Sequence, residues 1–167
     1  MGRWRAIVIA ILSYVAGGIV AALAVMAHEK VQRAAVKPRH EIEEEFEVGS
    51  GIARELRGVR PEAEIHAWDG RYWGCSMADW EAIIADVLRD VPVYKAERFD
   101  CDNFAILFSA LVAQRYQLNT CAIAIGTSPG GYHAWNLIRA EDGWHILEPQ
   151  NGRVDPAGYW CDFILCA

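Results

Sequence analysis

The sequence predicts an α+β domain, one helix packed on an antiparallel sheet, set behind a single N-terminal membrane-spanning helix. Three observations predict it. Ala6 to Ala27 are 22 consecutive positions without a charge, long enough at about 1.5 Å per residue to cross a hydrocarbon core of roughly 30 Å. Apolar residues then recur at helical spacing in two segments, 77–90 and 102–116. From Cys121 onward, short apolar runs alternate with turn strings such as Ser128-Pro129-Gly130-Gly131 and Ala140-Glu141-Asp142-Gly143, which is the pattern of hairpins.

The membrane helix, residues 1–27 with its short tail, is preceded by Arg3 and Arg5 and followed by Lys30, Arg33, Lys37 and Arg39. Basic residues on both sides give the positive-inside rule no clean answer. A short two-arginine tail kept in the cytoplasm would leave the rest of the chain extracytoplasmic. A cleaved secretory signal ending at Val25-Met26-Ala27 is the competing reading. The apolar run is long for a signal core of about 7–15 residues, which favours a retained anchor. Residues 28–51 read as a stalk that Pro38 ends, followed by an acidic linker carrying Glu41, Glu43, Glu44, Glu45 and Glu47. Residues 52–167 are the globular domain.

Within that domain, 52–75 shows no convincing period, and Pro61, Gly70 and Gly74 suggest loops. Ser76 is placed to cap a helix, with Asp79 three residues on. Trp80, Ile83, Ile84 and Val87 give that helix an apolar face, and Pro92 stops it. The second helix, 102–116, is capped by Asp100 and buries Phe104, Leu107, Phe108, Leu111 and Val112. Strands are expected at 121–126, 132–139, 144–148 and 160–166.

Composition narrows the function. The net charge of −6 leaves no basic patch of the kind nucleic-acid binding needs. The five cysteines, Cys75, Cys101, Cys121, Cys161 and Cys166, include no Cys-x-x-Cys pair, so a structural zinc site lacks its ligand spacing. Four of them could form two disulfides in an oxidising compartment, with the pairing left open.

Three residues point to thiol chemistry. Cys101 stands at the amino end of a helix, where unpaired N–H groups and the helix dipole favour an anion. Asp100 and Asp102 oppose that effect with negative charge. His133 lies on a strand and shares its face with Trp135, while Asn136 points to the other. If Arg139 pairs with Trp144, Trp135 lies opposite Glu148, and Glu148 becomes the diagonal neighbour of His133, roughly 7–8 Å away between backbones. Cys101 would then be the nucleophile, His133 the base and Glu148 the group that fixes the imidazole tautomer. His66 and His145 are the alternative imidazoles, and His145 faces away from Glu148.

The strings Cys101-Asp102-Asn103-Phe104-Ala105, His133-Ala134-Trp135 and Gly143-Trp144-His145-Ile146-Leu147-Glu148-Pro149 resemble the transglutaminase-like core of the papain-like cysteine-enzyme superfamily. That family usually carries Asp where Glu148 stands. With Glu in the third place, the match is closer to the C-terminal cysteine protease domain of the fairy-ring mushroom agglutinin, over roughly residues 94 to 152. The resemblance implies a papain-like fold and a cysteine peptidase or amidase working through a thioester. A transglutaminase-type acyltransferase and an inactive binding module in a membrane assembly are the alternatives. It implies a protein or peptide substrate, and a calcium ion held among Asp100, Asp102, Asn103 or Gln150.

Overall fold

The computed structural model describes residues 42–45, as backbone, and residues 51–167. These contain eight strands and three helices in the order β1 (Ile42–Glu45), α1 (Gly51–Val59), β2 (Glu64–Ala67), β3 (Arg71–Gly74), α2 (Met77–Val87), α3 (Cys101–Tyr116), β4 (Cys121–Ser128), β5 (Gly131–Ala140), β6 (Gly143–Glu148), β7 (Arg153–Val154) and β8 (Trp160–Cys166). Six strands form one sheet in the order β2-β8-β4-β5-β6-β7, and β1 pairs with β3 in a second, two-stranded sheet. β1 lies in the segment read from the sequence as an acidic linker.

The expected architecture is corrected: among the described residues the fold is sheet-rich, eight strands to three helices, rather than a papain-like core. Its main sheet is mixed, because β2 runs parallel to β8, with Glu64 opposite Phe163 and Ala67 opposite Cys166. The expected membrane-spanning helix is not among the described elements. No helix among the described residues is long and apolar enough to cross a membrane, α3 being the longest at 16 residues. The stretch Ala6 to Ala27, on which that expectation rested, lies outside the described residues.

The strands of the main sheet alternate as extended backbone requires. One face carries Ala122 and Ala124 of β4, Trp135 and Leu137 of β5 and Ile146 of β6, and these pack with Ile52 and Leu56 of α1. The carboxylate of Glu55 ties α1 to this face, receiving Arg139 Nε at 3.0 Å and Trp144 Nε1 at 3.0 Å. The other face lies under the longer helices. Asn136 donates from Nδ2 to the Ala105 carbonyl of α3 at 3.0 Å, and Trp80 of α2 donates to the Arg139 carbonyl at 2.7 Å.

β8 keeps its apolar side chains on the first face by breaking register once. Ile125 pairs with Phe163 but Gly126 with Cys161, so Asp162 is an extra residue in a bulge. That extra residue lets Cys161 and Ile164, three positions apart, both face the core. Gly126 permits the close approach: a Cβ there would stand 2.0 Å from the Trp160 carbonyl oxygen.

All five cysteines are free thiols. Burial pushes Cys75 up to about 12 and also raises Cys121 and Cys166, so none of these three is suited to ionise near neutrality.

Candidate functional site

The helix that bears Cys101 starts one residue earlier than its apolar stripe suggests. Cys101 is its first residue and Asp100 its cap, with Asn103 Oδ1 accepting the Asp100 N–H at 3.3 Å. Asp100, Cys101 and Asp102 bring their ligand-type atoms within 4.8 Å of one another. The interaction between the two neighbouring carboxyls raises Asp100 and lowers Asp102. The Asp100 carboxylate also accepts the Glu97 N–H at 3.2 Å.

β5 and β6 pair in the register the imidazole–carboxylate contact needs. Arg139 lies opposite Trp144 and Ala140 opposite Gly143, so the turn is the two residues Glu141 and Asp142. His133 Nε2 then lies 2.7 Å from Glu148 Oε2. Glu148 is 6% exposed and well supported: its Oε1 accepts the Gln150 N–H at 3.1 Å, and its Oε2 accepts the Tyr159 hydroxyl at 3.0 Å. Burial alone would raise this carboxyl. The bonds from His133, Gln150 and Tyr159 outweigh burial and hold it below the ordinary glutamate range. Tyr159 is pushed the other way, to about 12, by burial and by its bond to the carboxylate.

The imidazole is also held by rings. It stacks 6.1 Å from Trp135 and meets Tyr159 edge-on at 6.0 Å. Tyr159 in turn stands perpendicular to Trp135 at 5.0 Å. With Glu148 on Nε2, the Nδ1 edge is the one left to meet a ligand, through a tautomer fixed by the carboxylate.

The structure therefore joins His133 to Glu148. Among the described residues, no hydrogen bond joins Cys101 to either. Asn136 faces α3 through its bond to Ala105, while His133 and Glu148 share the strand face of Trp135. Of the residues expected to hold calcium, the carboxylates of Asp100 and Asp102 suit an oxygen-seeking ion. The Asn103 carbonyl oxygen is turned to the helix cap, and Gln150 is fixed by its N–H to Glu148.

Beside the imidazole lies a cavity of about 450 Å³, lined by Ser128, Tyr132, His133, Arg153, Pro156 and Tyr159 among others. Sequence reasoning missed Arg153 and Tyr159. Both come from the segment after β6, where a two-residue strand and a turn give no period to read. The Gly158 that precedes Tyr159, with φ of 83°, is the one local sign of that turn.

No family model matches the chain, and no curated protein does. Solved structures do. One, described as the PSL1a–E64 complex, is 24% identical with a TM-score of 0.60 and covers 74% of this chain and 50% of its own. Another is a Polyporus squamosus lectin bound to the human-type influenza-binding epitope Neu5Acα2-6Galβ1-4GlcNAc. It is 23% identical, with a TM-score of 0.58, over 74% of this chain and 49% of its own. The chain thus spans about half the length of each. At this identity the likeness shows a shared fold and no more.

These neighbours correct the sequence-based assignment. Neither is described as a papain-like protease or a transglutaminase, and one is described as a lectin holding a glycan. The assignment to the transglutaminase-like cysteine enzymes is therefore replaced by the fold these structures share. The peptidase, amidase and acyltransferase activities attached to that assignment go with it.

Proposed function

We propose that the chain is a ligand-binding module whose site is the cavity beside His133, and that its ligand is a glycan carrying an acidic sugar. The cavity is the observation that carries this reading. It is concave, of a volume suited to one or two sugar rings, and mixes aromatic faces with a few directed polar groups. Tyr132 and Tyr159 offer ring surface with a hydroxyl at the edge. Arg153 offers a planar fork that matches a carboxylate. Ser128 and the pre-set imidazole add hydrogen-bonding groups whose positions are fixed by the protein rather than by the ligand. The glycan held by the Polyporus squamosus lectin ends in a carboxylated sugar, which is consistent with that set.

His133 and Glu148 are in this reading the polar centre of the site. Cys101 and a calcium ion held by Asp100 and Asp102 stand apart from it, since none of these residues lines the cavity. Titration calorimetry of the full chain with Neu5Acα2-6Galβ1-4GlcNAc and with the unsialylated disaccharide tests it. The sialylated glycan should bind more tightly, and Arg153→Ala should abolish the difference. A folded chain that binds neither sugar would sink the proposal. Incubation with E64, the compound in the first neighbour, is the second arm. A mass increase localised to Cys101 would show that the thiol is the reactive part of the site and would overturn a purely binding role.

A further inference from the structure

On the reverse side of β6 from Glu148, His145 is gripped at both ring nitrogens. Nδ1 lies 2.7 Å from Asp155 Oδ2, and Nε2 lies 2.8 Å from Asp142 Oδ1. A neutral imidazole has one N–H and one lone pair, so it can satisfy only one of two carboxylates. The imidazolium donates to both. Asp142 belongs to the β5–β6 turn, whereas Asp155 follows β7, so the ring ties together two segments that no strand pairing joins at that point.

Asp155 is a junction in its own right. Its Oδ1 accepts the Ile146 N–H at 2.9 Å, and its own N–H donates to the Ile146 carbonyl at 2.7 Å. Its φ of 49° is left-handed, a conformation that costs a non-glycine residue and persists only when surrounding bonds hold it. The residues that follow, Pro156, Ala157 and Tyr159, line the cavity beside His133. A change at Asp155 is therefore passed directly to that rim.

We propose that the Asp142–His145–Asp155 clasp is a proton-operated latch on the rim of the cleft, closed while His145 is charged and loosened when it is neutral. Its functional consequence rests on the cleft being the ligand site. Asp142 and Asp155 are the charged groups that face the ring. Across the sheet β5 sets Ile138 opposite it. Glu141, next in the turn, is directed to the Met77 N–H. In α2, Asp79 is engaged with Ser76, and Asp86 with Arg115 and Tyr116. Burial alone would lower the imidazole, but the bonds and charges of Asp155 and Asp142 raise it above the ordinary histidine value. Raised in the folded state, it stabilises the clasp below the unfolded pKa, and that contribution is lost as pH rises through the folded pKa. The latch accordingly opens on the alkaline side.

The test is an NMR titration of histidine-labelled full-length chain, following His145 together with the Tyr159 signals. His145 should titrate above roughly 6.5, and the Tyr159 shifts should move with the same midpoint. Asp155→Asn should lower that midpoint by on the order of one unit. Because that change also touches Ile146, Asp142→Asn serves as the second variant, since it leaves β7 and its bonds intact. A midpoint at or below the ordinary value, or Tyr159 signals that ignore it, would overturn the latch. No ligand enters this measurement, so a failure of glycan binding would not change its outcome.

Discussion

Replacing Gly126 with alanine tests whether the bulge in β8 sets the position of Tyr159. The added Cβ would stand 2.0 Å from the Trp160 carbonyl oxygen, 2.9 Å from the Asp162 nitrogen and 3.0 Å from the Cys161 Cα. All three are backbone atoms, so no side chain can swing aside. Ordinary contact begins near 3.4 Å, which means β8 must retreat from β4 by roughly 1.4 Å at this point. That movement strains or breaks the ladder bonds beside the bulge. Overpacking of this kind costs about 1–3 kcal/mol, and each ladder bond weakened adds about 0.5–1.5 kcal/mol. We expect a loss of about 3 kcal/mol by urea unfolding, and a fall in Tm of about 10 °C for a domain of this size. Tyr159 immediately precedes Trp160, so the same retreat should lengthen its bond to Glu148. A Gly126→Ala protein within about 0.5 kcal/mol of the parent would refute the reasoning, because it would mean that the strands are not held at this distance.

Three further outcomes follow from the site. Tyr159→Phe removes one of the donors on Glu148, and should cost about 1 kcal/mol of stability while raising the carboxyl pKa, read by 13C NMR; an unmoved carboxyl would show that the hydroxyl is not bonded there. The lowered Glu148 stabilises the fold above its unfolded pKa, and that contribution is lost as pH falls through the folded value. Acid unfolding below roughly pH 4 should accordingly be shallower in Glu148→Gln than in the parent, and equal slopes would count against the linkage. Of the five free cysteines only Cys101 is not buried, so a maleimide should label one thiol per chain in the native state and five in denaturant, with Cys101→Ser abolishing the native reaction.

What was legible in the sequence is local. The Ser76 cap is present, its Oγ accepting the Asp79 N–H, because a hydroxyl three residues ahead of a carboxylate is a short-range device. The register of β5 and β6 follows from a turn string and from alternation, which is why the His133–Glu148 contact is visible without coordinates. Residues 52–75 conceal α1, β2 and β3, since strands of four residues complete no readable period, and α1 makes only two turns. The parallel pairing of β2 with β8 leaves no local trace. The placing of α3 on the Asn136 face is likewise a tertiary fact. A cysteine at a helix start and a histidine on a strand look alike in sequence whatever the distance between them.

The partner of β2 carries a consequence for how the chain is made. Among the described residues its one strand neighbour is β8, and Glu64 meets Phe163 across roughly 100 residues of intervening chain. During synthesis the hairpins β4–β5–β6 can form as they emerge, while Glu64–Ala67 must wait with its backbone groups unpaired until Trp160–Cys166 arrives to fill the gap. Such distant pairing is slow, and a waiting edge is a site where one nascent chain can add to another. The vulnerable species of this protein is thus one in which everything but β8 has already folded.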